Sequence, residues 1–204
     1  MSGISHERRP VDIGVITGTP VEMGAVRDVL DLGLAAAGGL LFYEGTVRTR
    51  GTTSRIAALQ ARDSVAAALG HLLGHFRPGI VVLTGTAEAT DPGLAAGDVV
   101  VCAEAVVDGP GTGIGHAVAA FFGDYGDPAH WRTEDARGVS RAHRVLPGPV
   151  GTAKPAEVGE LTQGWAVIQG ITPPAAGETH RRVAAWHAAA VLQSLIPYLR
   201  LTAR

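Results

Sequence analysis

The chain has 204 residues, 46% of them hydrophobic and 18% charged, and can bury one substantial core, so we expect a single domain. Its 17 Lys and Arg residues against 19 Asp and Glu residues leave no cationic surface of the kind that nucleic acid requires. No segment approaches the roughly 18 apolar residues of a membrane span, and the polar start lacks a signal-peptide core, which predicts a cytoplasmic protein without membrane contact.

The first predicted unit is a strand, a sharp turn and a helix. It follows a polar segment, residues 1–10, that we expect to be disordered or extended. The strand covers Val11 to Thr17 and is rich in β-branched residues. Thr19 suits a helix N-cap, Pro20 suits the first helical turn, and Glu22 stands at the capping-box position.

A hairpin and a second helix are predicted next. Leu40 to Arg48 and Ser54 to Gln60 have the composition of two strands joined by a tight turn. Asp63 to His75 has an apolar stripe at helical spacing, and Pro78 is expected to end that helix.

The following stretch alternates between apolar strands and segments rich in small residues. Ile80 to Thr84 and Asp98 to Val107 are predicted strands, and Gly85 to Gly97 is a predicted loop. Gly97 and Asp98 are expected to form a tight turn with a side-chain cap. Residues 108–149 carry many Gly, Pro, Asp and Arg residues and are predicted to be a long irregular excursion.

The chain is predicted to close with a strand and a long helix. The strand spans Ala166 to Ile171 and the helix Glu178 to Tyr198, with Pro197 expected to disturb the last turn. Strands alternating with helices indicate an α/β domain with a mixed, twisted central sheet flanked by helices.

Three stretches resemble the superfamily of nucleoside phosphorylases and 5'-methylthioadenosine/S-adenosylhomocysteine nucleosidases. They are Val11–Leu30 (VDIGVITGTPVEMGAVRDVL), Arg77–Val101 (RPGIVVLTGTAEATDPGLAAGDVVV) and Ala166–Ile196. The resemblance implies a phosphorylase/nucleosidase-like fold over residues 11–204, a purine nucleoside-like ligand and no cofactor. It also implies a homo-oligomer, with a dimer as the first expectation.

The resemblance also assigns site residues. Glu22 matches the glutamate that orders the attacking water in the hydrolases, which makes it the candidate catalytic residue, while the local pattern alone makes it the capping-box partner of Thr19. Both interpretations stay open. The expected ligand-binding positions are Thr86, Ala87, Glu88, Thr152, Ile171 and Thr172.

The sequence departs from the family pattern in three places. Glu88 and Ala89 replace a pair of glycines against which the ligand lies, so a Cβ atom would crowd it. Pro173 stands where the family has an aspartate that protonates the departing base, and proline has no proton to give. The family's Glu-Met-Glu helix, which grips the ribose, has too little chain here, and Glu157 and Glu160 are the nearest candidates.

These departures favour a degenerate nucleoside N-glycosidase that has lost standard hydrolysis and keeps a ligand-binding or assembly role. One alternative is an active enzyme that uses Glu22 and takes its acid from Asp124, Asp127 or His130. Another is a structural subunit that binds a protein partner. No metal site is expected, since the His residues form no metal-binding motif.

Overall fold

The computed structural model describes residues 8–37, 39–49, 51–89, 91–104, 113–135, 138–148 and 164–200. Within these ranges the chain forms nine strands and four helices. In chain order they are β1 (Arg9–Thr17), α1 (Pro20–Leu30), β2 (Gly33–Ala37), β3 (Leu40–Thr49), β4 (Thr52–Gln60), α2 (Val65–His75), β5 (Phe76–Glu88), β6 (Val99–Glu104), α3 (Gly113–Tyr125), β7 (Ala129–Glu134), β8 (Ser140–Pro147), β9 (Trp165–Thr172) and α4 (Glu178–Arg200).

All nine strands belong to one mixed sheet with the order β2-β3-β4-β1-β5-β9-β6-β8-β7. Its centre is parallel, because β1 pairs with β4 and β5, and β5 pairs with β9 in the same direction. The pairs β2–β3, β3–β4, β6–β9 and β7–β8 are antiparallel. The expected single α/β domain with a mixed central sheet is confirmed.

Helices cover both faces of the sheet. A larger apolar core lies under α1, α3 and α4, and a smaller one lies under α2. Successive residues of β1 alternate between these cores, with Val15 in the larger and Ile16 in the smaller. That alternation follows from the two-residue repeat of a strand that is buried on both faces. No described helix is long and apolar enough to cross a membrane.

The β1–α1 unit forms as its sequence predicts. Thr19 is the N-cap of α1, and its side-chain oxygen accepts a hydrogen bond from the backbone N–H of Glu22. The Glu22 carboxylate accepts one in return from the backbone N–H of Thr19, which completes the capping box. Pro20 occupies the first turn, where its missing N–H costs no hydrogen bond.

Pairing across the sheet extends β5 beyond its expected bounds at both ends. The helix α2 ends at His75, before Pro78, and Pro78 lies within β5. A proline is tolerated there because β9 pairs with β5 only from Val81 onward, which leaves one side of Pro78 without a strand partner. Residues 85–88, expected in a loop, continue β5 because they pair with β9 as far as Thr172.

Residues 113–135 and 138–148 are more regular than the sequence suggested. The stretch expected to be an irregular excursion contains α3 and the antiparallel pair β7–β8. Phe121 and Trp131 stack with ring centroids 5.6 Å apart and so join α3 to β7. The helix α4 also differs from expectation, because it continues through Pro197 to Arg200.

Candidate functional site

Glu22 lies at the topological switch point of the sheet. The strand β4 pairs with one side of β1, and the next strand along the chain, β5, pairs with the other side, so the boundary between β1 and β5 is that switch point. Open α/β sheets bind ligands outside the carboxyl ends of their strands at such a point. The first turn of α1 places Glu22 there, with 6% of its surface exposed.

The Glu22 carboxylate accepts four hydrogen bonds from the protein. Oε2 receives the backbone N–H groups of Gly18 at 3.0 Å and Thr19 at 2.8 Å. Oε1 receives the backbone N–H of Thr86 at 2.8 Å and its hydroxyl at 2.9 Å. Glu22 therefore ties the β1–α1 turn to β5, in addition to capping α1.

The carboxylate also explains the glycine at position 85. A Cβ atom on Gly85 would lie 2.9 Å from Glu22 Oε1, closer than real Cβ contacts allow. Close approach of β5 to Glu22 thus depends on a residue without a side chain.

The described ligand-binding candidates meet at the ends of β5 and β9. Ala87 pairs in register with Ile171, and Glu88 pairs with Thr172. The Thr172 hydroxyl donates to the Ala87 carbonyl at 3.2 Å. Thr86 lies on the same strand end and contacts Glu22. Thr152, Glu157 and Glu160 lie outside the described residues.

Glu88 puts an exposed carboxylate beside the turn that begins at Pro173. Its Oε1 accepts a hydrogen bond from the backbone N–H of Ala175 at 3.3 Å. Ala175 has φ +53° in the turn that begins at Pro173. The end of β5 is therefore linked to the β9–α4 connection by the Glu88 side chain.

None of the three acid candidates from residues 108–149 is among the four hydrogen-bond donors to Glu22. Asp124 accepts a hydrogen bond from the Tyr198 hydroxyl at 2.6 Å. Tyr198 lies near the end of α4, and at 1.5 Å per residue that is about 30 Å along the axis from Glu178 at its start. Asp127 and His130 are exposed, and His130 pairs in register with Arg144 at the far side of the sheet.

Asp98 is a buried carboxylate that links the segment before β6 to β8. Its oxygens accept the backbone N–H of Ala95 at 2.9 Å and the backbone N–H of Arg144 at 3.0 Å. The Arg144 guanidinium forms an ion pair with it. Burial alone would raise the pKa of Asp98, but the hydrogen bonds from Arg144 and Ala95 outweigh it and hold that pKa below its ordinary value. The expected local cap is present, and the link to β8 adds to it.

The contact between His143 and His187 has no counterpart among the sequence-based predictions. His143 on β8 and His187 on α4 are buried, and their rings stack with centroids 3.9 Å apart and an angle of 14° between planes. They are distant in sequence and lie in a strand and a helix, so no local spacing brings them together. Among the described residues no three His, Cys, Asp or Glu side chains are grouped to hold a metal ion.

A cleft of about 280 Å³ opens between the start of β3, the end of β4 and the start of α2. Leu40, Leu59 and Ala68 supply apolar walls, and Tyr43 and Arg62 supply polar groups. Gln60, which also lines the cleft, pairs in register with Thr17 at the end of β1. The cleft therefore lies one strand away from the turn that holds Glu22.

The chain is thus an α/β protein with a mixed nine-stranded sheet, helices on both faces and a buried carboxylate at the switch point of the sheet. In sequence comparisons, neither a family model nor a curated protein matches the chain. Solved structures match it over nearly its whole length, and among them are nucleosidases and a futalosine hydrolase.

Three of these structures illustrate the similarity. A futalosine hydrolase mutant of Helicobacter pylori strain 26695 has a TM-score of 0.58 at 12% identity, covering 93% of this chain and 99% of its own. The 5'-methylthioadenosine/S-adenosylhomocysteine nucleosidase of Colwellia psychrerythraea 34H, in complex with adenine, has 0.58 at 16% identity, covering 96% and 98%. The corresponding enzyme of Neisseria meningitidis, with methylthio-immucillin-A, has 0.57 at 17% identity, covering 91% and 98%. At these identities the similarity establishes the fold.

Proposed function

We propose that this protein binds a purine nucleoside-like small molecule at the β1/β5 switch point and has lost standard N-ribosyl hydrolysis. The observation that carries the proposal is the saturation of Glu22. A carboxylate has about four acceptor positions, and Gly18, Thr19 and Thr86 fill four. A water molecule that attacks a sugar needs one of those positions to give up its proton.

The residue after β9 supports the same proposal. Cleavage of a purine nucleoside releases a base that must take up a proton, and a positioned acid typically contributes about 10²–10⁴ in rate. Pro173 follows the strand end at Thr172 and has no such proton. The purine class itself is inferred from the neighbours, one of which is in complex with adenine and another with methylthio-immucillin-A.

One observation favours a second candidate, an active and divergent nucleosidase. The exposed carboxylate of Glu88 reaches the turn that starts at Pro173, through its contact with Ala175. In its protonated form it would give a proton to the departing base while water adds to the sugar carbon. Glu88 would then take the place of the missing acid, with Glu22 as the partner that receives the proton of water.

Base release separates the two candidates. Purified protein is incubated with adenosine, methylthioadenosine, adenosylhomocysteine and inosine, with and without phosphate, and the free base is quantified. We expect no release above the buffer rate. Release that is lost in both Glu22→Gln and Glu88→Gln, but kept in the exposed control Glu178→Gln, would establish the active enzyme instead.

Ligand binding without turnover is measured by thermal stability. A molecule that binds only the native state stabilises it by about 2.7 kcal/mol at 100 times its Kd. We expect one of the four nucleosides to raise the melting temperature, and Thr86→Val to reduce that rise. If none of the four nucleosides raises the melting temperature, the proposed ligand binding is contradicted, and an assembly role takes its place.

We also propose a homodimer, on the basis of an apolar patch at one sheet edge. Leu34 on β2 is 63% exposed and Leu41 on β3 is 52% exposed. Leu34 pairs with Tyr43 and Ala36 pairs with Leu41, so these four side chains share a face. Light scattering of wild type and Leu34→Glu tests this: we expect a dimer that the substitution weakens, whereas a monomeric wild type would contradict it.

A further inference from the structure

The stacked imidazoles of His143 and His187 differ in their hydrogen bonds. His187 Nδ1 lies 2.8 Å from the Gly97 carbonyl oxygen, which only accepts, so Nδ1 carries the proton. Both ring nitrogens of His143 are buried, and neither makes a hydrogen bond of normal geometry to a described residue, although the nearby Arg141 backbone weakly favours the charged ring. A neutral imidazole in that position already lacks its usual partners, and a charged one would lack them at greater cost.

The charges around the pair leave it without a free counter-ion. Asp98, in the segment before β6, acts on both rings, but Arg144 of β8 already neutralises it. Arg141 of β8 adds positive charge, and Asp135 after β7 balances it only in part, at 4.0 Å from the Arg141 guanidinium. Two protonated rings 3.9 Å apart would also repel one another.

Burial and the neighbouring ring act in the same direction on His143. Burial, and to a lesser extent the charge of a protonated His187, lower the pKa of His143 to about 4, against smaller opposing effects of the Arg141 backbone and Asp98. Burial also lowers the pKa of His187. The pair therefore stays uncharged at neutral pH and resists taking up a proton.

The pair is connected to the candidate site through the segment 91–98. His187 holds the Gly97 carbonyl, and the Gly97 N–H donates to the Ile171 carbonyl at 2.8 Å. The Ile171 N–H donates in turn to the Asp98 carbonyl at 2.7 Å. Movement of His187 away from Gly97 thus acts directly on the end of β9, where Ile171 stands among the ligand-binding candidates.

We propose that the stacked His143–His187 pair is an acid-sensitive contact whose protonation releases the segment 91–98 and loosens the strand end at Ile171. This proposal stands apart from the proposed ligand and from any catalysis. Because a histidine with a lowered pKa binds its proton more readily in the unfolded chain, its stabilisation is complete above about pH 6.5 and is lost as the pH falls toward 4.

The melting temperature between pH 7 and pH 4.5 tests the proposal. The wild type is compared with His143→Phe and His143→Gln, which both remove the titrating ring. We expect the wild type to lose about 5–10 °C more than either variant over this range, from a pKa lowered to about 4 in a domain of this size. The control His180→Gln removes an exposed imidazole of the same helix and should behave as wild type.

Amide hydrogen exchange tests whether the His143–His187 pair is coupled to the strand end at Ile171. In wild type, the amide protons of Gly97 and Ile171 should exchange faster at pH 5 than at pH 7 after correction for intrinsic rates, and this difference should disappear in His143→Gln. Equal pH dependence in the wild type and in both variants would overturn the proposal. If neither variant folds, NMR titration of the histidines in the wild type tests the proposal. Measured pKa values near 6.5 for both buried rings would overturn the proposal, and values well below 6.5 would support it.

Discussion

Glu22 illustrates how one side chain serves a helix, a turn and a neighbouring strand. Its two oxygens accept from Gly18 and Thr19 at the β1–α1 turn and from Thr86 on β5. The capping part of this role was predictable from the local sequence, because Thr19, Pro20 and Glu22 are spaced as a helix start requires. The contact with Thr86 was not, since it depends on the pairing of β5 beside β1.

Glu22→Gln should destabilise the fold even though it preserves shape. The amide nitrogen of glutamine donates and would face backbone N–H groups, so at least one buried donor loses its acceptor. We expect a loss of about 1–3 kcal/mol in the free energy of unfolding, measured by urea denaturation. Glu44→Gln is the matched control, since Glu44 pairs with Arg9 at an exposed position and should lose roughly 0–1 kcal/mol. Equal losses in the two variants would contradict this account.

Gly170 lets β9 and α4 lie closer together than a residue with a side chain at this position would allow. A Cβ atom there would lie 2.0 Å from the Ala184 carbonyl oxygen of α4, and that oxygen belongs to backbone that cannot rotate away. Gly170→Ala should therefore lower the melting temperature sharply or prevent folding. Gly24→Ala is the control, because nothing lies within 4 Å of its Cβ position in α1. It should raise stability by about 0.5–1 kcal/mol, and a Gly170→Ala protein as stable as wild type would show that α4 can shift.

At the scale of elements, local signals predicted helices better than strand ends. The start of α1 carries its own capping chemistry, whereas β2 is Gly-Leu-Ala-Ala-Ala and has neither β-branched residues nor clear alternation. It forms because β3 offers a partner, with Ala35 opposite Phe42. The end of β5 likewise depends on β9, which a reading along the chain does not reveal.

Asp98 joins elements that are separate in sequence, and its ionisation should matter for their association. Its pKa is lowered in the folded state, so its contribution is present above the ordinary value near 4 and is lost as the pH falls below that value. Asp98→Asn should remove this acid dependence and destabilise the protein at pH 7. Melting temperatures at pH 3.5, 5 and 7 measure both effects. Asp28→Asn, at an exposed pair with Arg27, is the control, and an Asp98→Asn protein with the wild-type acid dependence would contradict the role of Asp98.

At the scale of the molecule, the sequence predicted the mixed α/β sheet but not the structure at the far side of that sheet. The Gly, Pro and Asp residues within 108–149 suggested irregular structure. Instead an aromatic cluster organises much of that stretch, with Phe121 stacked on Trp131 and in edge contact with Tyr198. Such clusters come from contacts between α3, β7 and α4, for which the sequence has no local marker.

The same cluster makes residues 113–134 part of the cooperative fold. Phe121 is fully buried, and Phe121→Ala should cost about 3–5 kcal/mol, as removal of a buried aromatic ring usually does. Val139→Ala, at a 44% exposed position, should change stability by about 0.5 kcal/mol or less. Tryptophan fluorescence detects the cluster through Trp131, and far-ultraviolet circular dichroism detects mainly the helix α4. If both unfold together, the two signals should give one coincident urea transition in wild type. Two separate transitions, or a small loss in Phe121→Ala, would mean that this segment folds independently of the sheet that carries Glu22.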